Sequence, residues 1–397
     1  MKILIVGAGA VSSVITHHLS TDKRVSEVLC GSNDLKRARS FIKVHNKKIK
    51  LISLDAANIN DIVRRAVGVD LIINASLPRF NVNIMEAALK VGAHYQDLAS
   101  ELKDLKTVEQ FKFNKRFERA GLTGLINTGV APGVTNLLAR EAADMFDVVD
   151  SIHIRCVEEQ KASEFVFSWS AETTFDDLTA PPLVYKNGKF KTTKPFHDPE
   201  DYEFPGQLGT KRAFSIYGDE VATIPYFIKT KNVDFKSAGA DIEFSKALSS
   251  LGLFSKKPVA IGGVKFAPLE LFKKLAPAVP PPDMMRTMIR NGIIENAIFA
   301  LTVEVVGKKH NKNLRIKMSA IFPDLKAINK IFPGGTYISY PTGTAAYVFS
   351  ALIPNIKKRG VFPPEALDSH VRKVAMMDLA NHGIAIDQRF QKGERVN

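Results

Sequence analysis

Lys2-Ile3-Leu4-Ile5-Val6-Gly7-Ala8-Gly9-Ala10-Val11-Ser12 is the stretch that decides the fold. Lys2–Val6 is a short, almost wholly apolar run, as in a strand buried on both faces. Ala10, Val11, Val14, Ile15, His18 and Leu19 then recur at helical spacing. Between them, Gly7 permits a tight turn and Gly9 lets the backbone approach a ligand closely. A strand, a glycine turn and a helix in that order aim helix N-terminal amides at negative charge such as a pyrophosphate. Gly7, Gly9, Ala10 and Val11 are therefore expected to cradle a dinucleotide. The third motif position is Ser12 rather than glycine, still small enough for helix–strand packing. A glycine turn without a ligand is the competing reading.

Outward from this turn the pattern alternates. Val28–Cys30, Ile49–Leu54, Asp70–Asn74, His94–Leu98 and Leu122–Ile126 read as strands. Helical stripes lie between them, at Leu35–Ile42, Ile59–Ala66, Val82–Val91 and Leu105–Phe117. The first strand and these five argue for an α/β, doubly wound parallel sheet with ligands beyond the strands' carboxyl ends. The second strand ends in Gly31-Ser32-Asn33-Asp34, about 20 residues beyond the glycine turn, where an acidic residue would select NAD. Ser32 is expected to face the ribose; neutral Ser32 and Asn33, followed by Lys36 and Arg37, favour NADP. A shift of one residue brings Asp34 there instead and makes NAD possible. Asp55, after the third strand, is expected to reach the adenine amino group or to serve as a turn residue. Asn74, Ala75, Ser76 and Leu77 are expected beside the pyrophosphate and the nicotinamide ribose.

After Gly129-Val130-Ala131-Pro132-Gly133 the alternation stops. Thr135 is expected to cap a helix containing Leu137, Leu138 and Ala142. Ile152–Val157 and Phe165–Trp169 read as strands, and Asn187-Gly188 as the type I′ turn of a hairpin. Ile298–Val306 and Leu314–Ser319 alternate on either side of a polar turn, Gly307–Asn313. The middle of the chain thus reads as an α+β domain built on an antiparallel sheet. The pattern turns helical again near Thr342, and Gly360–Glu365 reads as a turn leading into a last helix.

Composition excludes other classes. The 397 residues are 45% hydrophobic and 24% charged, ordinary for a globular protein with a large core. Two cysteines, Cys30 and Cys156, exclude a disulfide scaffold and a multi-cysteine metal site, and no metal is expected. No apolar run is long enough for a membrane span, and the first residues lack a signal-peptide pattern, so the cytoplasm is the expected compartment. The net charge of +14 comes from dispersed lysines, without an arginine-rich arm. Neither nucleic acid nor a membrane is therefore expected as a partner.

Four segments together resemble the saccharopine dehydrogenase-like family. They are Asp70–Pro78, Gly92-Ala93-His94-Tyr95-Gln96-Asp97-Leu98, Gly129–Asn136 and Gly360–Glu365, in the family's order over almost the whole chain. The resemblance implies a Rossmann domain, residues 1–130, completed by about 341–397. It also implies an inserted domain, 131–340, for substrate binding and homodimerisation. The implied chemistry is hydride transfer between NAD(P) and a carbon bearing an amine nitrogen of an amino acid or amine. Two features depart from the family. The arginine-bearing segment of members acting on saccharopine or lysine is replaced after Lys236 by Ser237-Ala238-Gly239-Ala240-Asp241. Gly218 stands where a histidine is common ahead of Glu220, Thr223 and Pro225. The missing arginine leaves open a non-catalytic dinucleotide-binding or interaction protein that retains the fold.

Amine oxidation removes a hydride from carbon and a proton from nitrogen, and water then attacks the imine; a group titrating near neutrality serves both proton steps. Asp97, at the carboxyl end of the fifth strand, is the expected group, with Tyr95 two residues away on the same strand face. A strand-end or helix-cap carboxylate is the equally weighted alternative for Asp97, and core packing the alternative for Tyr95. His94 points the other way, as a core histidine would. Ser168, Trp169 and Arg286, the last with Arg290 one helical turn on, are the candidates for substrate binding. Tryptophan in a core and arginines on a solvated helix face are the competing readings.

Overall fold

A computed structural model describes residues 1–44, 46–101 and 103–392. Strands β1 (Lys2–Val6), β2 (Glu27–Ser32), β3 (Ile49–Ser53), β4 (Leu71–Asn74), β5 (His94–Asp97) and β6 (Thr123–Leu125) alternate with helices. Ile3, Leu4 and Ile5 are fully buried because helices cover both sheet faces. Burying each such side chain contributes roughly 1.5–3 kcal/mol. The fifth helical stretch starts later than its apolar spacing predicts, as a 3₁₀ turn at Glu109–Phe113 that runs into Asn114–Arg119. The Asp104 carboxylate accepts from the amides of Lys106 and Thr107, and Leu105 adopts a positive φ of 65°. That local turn outcompetes helix over 105–108.

The second domain begins with the helix Val134–Ala143. Thr135 does not cap it. Gly133 holds the cap position, at φ +133° with an added Cβ only 2.1 Å from the Gly129 carbonyl oxygen, and Asn136 Oδ1 accepts from its amide at 2.9 Å. The domain's strands are β7 (Val148–Ala162), β8 (Leu183–Lys186), β9 (Lys189–Thr192), β10 (Glu200–Phe204), β11 (Gly209–Ser215) and β12 (Asn232–Ala238). A separate hairpin, β13 (Val259–Ile261) and β14 (Val264–Phe266), precedes the long pair β15 (Ile294–Lys309) and β16 (Lys312–Ile321). The main sheet is antiparallel except where β12 runs parallel to β7. Asn187 and Gly188 both have positive φ, as the type I′ turn requires. β15 and β16 continue through the residues expected to loop and turn only at His310-Asn311, both at positive φ. Phe165–Trp169 is not a strand: the Val166 and Ser168 carbonyls accept from side chains, Gln160 Nε2 and Thr336 Oγ1, instead of from a ladder.

The chain then returns. Helix Ser339–Leu352 packs on helix Ala10–Thr21 so closely that a Cβ at Gly343 would lie 2.6 Å from Val14 Cβ. Gly360–Phe362, expected as a turn, is β17, a seventh parallel strand beside β6, so the first sheet has the order β17-β6-β5-β4-β1-β2-β3. A last strand, β18 (Ala385–Lys392), pairs with β16 in the second sheet. Residues 393–397 lie outside the described residues. No helix among the described residues is long and apolar enough to cross a membrane.

Candidate active site

The glycine turn sits at the carboxyl end of β1. Gly7 has φ +103°, and an added Cβ would lie 2.6 Å from the Ala75 carbonyl oxygen, so only glycine lets this turn abut the loop after β4. A Cβ at Gly9 would meet nothing within 4 Å. The helix starting at Ala10 has no side-chain cap. Open space in front of uncapped helix amides fits a pyrophosphate. The β4 loop is held by one residue. Asn74 Oδ1 accepts from the Ser76 amide at 2.9 Å and from Ser76 Oγ at 2.6 Å, while its Nδ2 donates to Asn81 Oδ1 at 2.7 Å. Ala75 and Leu77 lie in the same loop, which brings Asn74–Leu77 beside Gly7.

At the end of β2, Ser32 Oγ donates to the Asp34 carbonyl and accepts from the Asp34 amide, and the Asp34 carboxylate caps the next helix through the Arg37 amide. Asn33, Lys36 and Arg37 are exposed there. Asp55 forms a turn: its carboxylate accepts from the Ala57 amide at 2.9 Å.

Asp97 and Tyr95 share one face of β5 but are sealed from solvent, at 1% and 0% exposure. Asp97 Oδ1 accepts from the Asn127 amide at 2.7 Å, and Oδ2 from Gln110 Nε2 at 3.0 Å. Burial pushes its pKa up to about 7. Tyr95 donates its hydroxyl to Asn81 Oδ1 at 3.0 Å.

The loop after β5 touches the second domain directly. The Ser100 amide donates to Asp219 Oδ2 at 2.9 Å, and Ser100 Oγ to Asn127 Oδ1 at 2.8 Å. Burial and the neighbouring carboxylates raise Asp219 to about 8. Next to it, Glu220 accepts from Thr135 Oγ1 at 2.7 Å, and Asn136 donates to Thr223 Oγ1 at 3.1 Å. Arg140 donates to the backbone of Glu365. Glu220 and Glu365 are both wholly buried and each is pushed up to about 7 by burial. Three motifs far apart in sequence thus meet behind the crevice between the domains. Asp177, on helix Ala171–Thr179, lies within electrostatic reach of Asp219, Glu220 and Glu158, and Glu158 of Asp241, which accepts from Tyr337 Oη at 2.9 Å. Arg79, just after the β4 loop, pairs across the crevice with Glu172 of the same helix.

Family models describing a saccharopine dehydrogenase NADP binding domain and a saccharopine dehydrogenase C-terminal domain match residues 3–125 and 129–384. The chain belongs to the saccharopine dehydrogenase family. It is an oxidoreductase that depends on a nicotinamide dinucleotide and works at the carbon of an amine or imine. This saccharopine dehydrogenase family member is 27% identical over 302 residues to a carboxynorspermidine synthase of Vibrio alginolyticus, covering 70% of the chain and 73% of that protein. It is 27% identical over 288 residues to a carboxyaminopropylagmatine dehydrogenase of Synechocystis, covering 70% and 72%. Its fold matches the L-glutamate-forming saccharopine dehydrogenase of Saccharomyces cerevisiae with a TM-score of 0.71 at 15% identity, over 98% of this chain and 99% of that one. It also matches a homospermidine synthase of Legionella pneumophila solved with NAD, with a TM-score of 0.70 at 14% identity, over 100% and 92%.

Of the second-domain candidates, Ser168 is buried beside Tyr337, and Trp169 is half-buried next to it. Arg286 is exposed and pairs with Asp283 at 2.9 Å, on a helix that packs against helix Leu35–Phe41. Glu158, Asp177, Asp219, Asp241 and Tyr337 escape sequence reasoning. The tandem Asp219-Glu220 is the one local signal, an acidic pair inside an otherwise apolar helix start.

Proposed function

We propose that the enzyme uses NADP(H) to interconvert a secondary amine and its imine on an amino acid or amine. The observation that carries this reading is the Gly7–Gly9 turn, open at Gly9 and closed against Ala75, in a sheet whose loop after β5 meets the Asp219 carboxylate of the second domain. Gly7, Gly9, Ala10, Val11 and the Asn74–Leu77 loop would hold the cofactor, which supplies or accepts a hydride when bound. Preference for NADP is supported by Ser32 and Asn33, which bring no carboxylate, and by Asp34 being engaged as a helix cap with Lys36 and Arg37 exposed beside it. The named activities of the two relatives, on carboxynorspermidine and carboxyaminopropylagmatine, support a carboxylated amine as substrate. Pairing of two copies through the second domain is supported by β18, a sheet-edge strand that exposes Phe390.

The proton steps need a carboxyl group that titrates near neutrality and reaches the crevice. Asp97 titrates there, but both its oxygens are engaged in a sealed site, which supports a positioning role: it ties the end of β5 to Asn127. Asp219 accepts from the Ser100 amide, with the Tyr217 hydroxyl also beside it, at the junction of the domains and is 7% exposed, which supports it as the proton-transfer group. Its test is nicotinamide absorbance change with carboxylated di- and triamines. Asp219→Asn should lower turnover about 100- to 10,000-fold and leave NADPH affinity intact. Turnover within a few-fold of the parent would return the role to Asp97. Gly9→Val should abolish NADPH binding in a folded protein, and NADPH should bind more tightly than NADH.

A further inference from the structure

Asn81 opens helix Asn81–Val91, which follows the β4 loop, and it is wholly buried. An asparagine at a helix start ordinarily caps the helix's own amides. This helix has no side-chain cap, and Asn81 is turned to partners elsewhere in the fold. A primary amide offers two donors and an oxygen with two lone pairs, and Asn81 uses all four. Its Oδ1 accepts from Asn74 Nδ2 at 2.7 Å and from Tyr95 Oη at 3.0 Å. Its Nδ2 donates to the Ala99 carbonyl and to Glu109 Oε1, each at 2.9 Å.

One side of this amide leads to the cofactor turn. Asn74 Oδ1 holds the Ser76 amide and hydroxyl, and the Ser76 nitrogen would lie 2.8 Å from a Cβ added at Gly7. The other side leads to the second domain through three successive residues. The Ala99 carbonyl is held by Asn81, the Ser100 amide by Asp219 Oδ2 at 2.9 Å, and the Glu101 amide by Glu109 Oε1 at 2.8 Å. That Glu109 oxygen is the one Asn81 also meets. A buried amide with every donor and acceptor engaged allows its partners little freedom relative to one another.

We infer that Asn81 is a positioning residue that holds the cofactor loop and the Asp219 carboxylate in one fixed arrangement. This rests on the proposed roles of Asn74–Leu77 and Asp219 and names the residue that makes them act together. Asn81 works through Asn74 on one side and through Ala99–Glu101 on the other. Hydride and proton must reach the same carbon–nitrogen bond from different domains, and a misplacement of about 1 Å can cost on the order of 100-fold in rate.

Two readouts on the full chain test the inference. They are NADPH affinity, by fluorescence titration, and the protonation of Asp219, by NMR of isotope-labelled aspartate assigned through its loss in Asp219→Asn. Asn81→Ala should weaken NADPH binding by about tenfold and raise the proton affinity of Asp219 by about threefold or more. Burial raises Asp219, and the Ser100 amide is the largest effect in the other direction, so loosening Ser100 raises it further. The Glu109 charge acts on Asp219 more weakly, and Tyr217, Asp177 and Glu220, which also face it, are kept in every variant. Asn74→Ala cuts the first branch alone and should weaken NADPH binding without moving Asp219. Ile84→Val, a buried truncation one turn along the same helix, should lower stability and move neither readout. Asn81→Ser carries the same test if Asn81→Ala does not fold. A folded Asn81 variant with the parent's Asp219 titration would overturn the inference, as would Ile84→Val or Asn74→Ala moving Asp219 equally far. Failure of the parent to bind NADPH would instead overturn the functional reading, with the Asp219 titration still reporting on Asn81.

Discussion

β7 and β12 carry two opposite solutions to buried charge on their two faces. On one face, Arg155 pairs with Glu200 and Asp234, Lys236 pairs with Glu200 at 3.1 Å and Asp198 at 3.0 Å, and His153 Nδ1 lies 2.7 Å from Asp234. Asp234 and Glu200 have lowered pKa values; burial opposes this but is outweighed by hydrogen bonds and charge from Arg155 with His153 and Lys236. On the other face, one residue further along the same strands, Cys156, Glu158 and Ser237 have no base among them, and burial pushes Glu158 up to about 8. Acids completed within the chain serve the fold. Acids without a base partner, in the same sheet, keep their protons to higher pH instead.

The sharpest way to break this contrast is to remove the base from the paired face. Arg155→Met should cost about 2–3 kcal/mol, below the roughly 3–5 kcal/mol of a fully buried pair because Glu200 and Asp234 retain about a third of their exposure. Urea unfolding reads the loss, and turnover per folded molecule should stay within about twofold. If turnover collapsed instead, the paired face would be part of the site.

Asp97 is the intermediate case, a buried carboxylate satisfied by neutral donors. Asp97→Asn sets an amide N–H against the Asn127 amide or Gln110 Nε2, so stability should fall by about 1–2 kcal/mol. Its turnover should drop only a few-fold. A hundredfold loss at full stability would make it the proton-transfer group after all.

The smallest effect concerns pH. Glu158 has a folded pKa near 8 against an ordinary 4.5, so its ionisation penalises the folded state as pH rises from about 4.5 to about 8. Glu158→Gln should therefore raise stability at pH 8 by about 1 kcal/mol, discounted for partial exposure, and change nothing at pH 4. Asp234 has the opposite sign. Its folded pKa is lowered, so its stabilisation is present above its ordinary value and is lost as pH falls through the folded one. Thermal melts of Glu158→Gln and Asp234→Asn between pH 4 and 8 should move in opposite directions at the upper end.

What was legible in the sequence follows from the range of the interactions involved. Strand and helix alternation over 1–126 is set by local periodicity, and β1 to β6 form where the apolar runs lie. The Gly7–Gly9 turn is legible because a conformation that needs glycine leaves glycine in the chain. β17 was hidden because Gly360-Val361-Phe362 is too short to show a period, and it becomes a strand only by pairing with β6. Phe165–Trp169 misled for the opposite reason: its apolar alternation is real, but Phe165 and Phe167 are used in ring contacts with each other and with Phe244 and Phe175. The acidic cluster was illegible. Apart from the Asp219-Glu220 tandem, nothing about Glu158, Asp177, Asp219 and Asp241 is unusual in the sequence; they lie far apart along it, and only the fold brings them within electrostatic reach of one another.

β17 has a consequence for how this protein comes into being. The first sheet's edge beside β6 is closed by residues that follow every strand of the second sheet except β18 in the chain. Until those are made the nascent N-terminal half carries an open parallel edge, with Thr123–Leu125 unpaired on one side. A fragment cut near residue 130 therefore has the cofactor turn but an unsealed sheet, and its natural hazard is edge-to-edge association. The same late arrival makes the C-terminal segment a seal of both halves, since Gly360–Phe362 joins one sheet and Ala385–Lys392 the other. Synthesis of residues 360–392 is what turns two incomplete sheets into one folded enzyme.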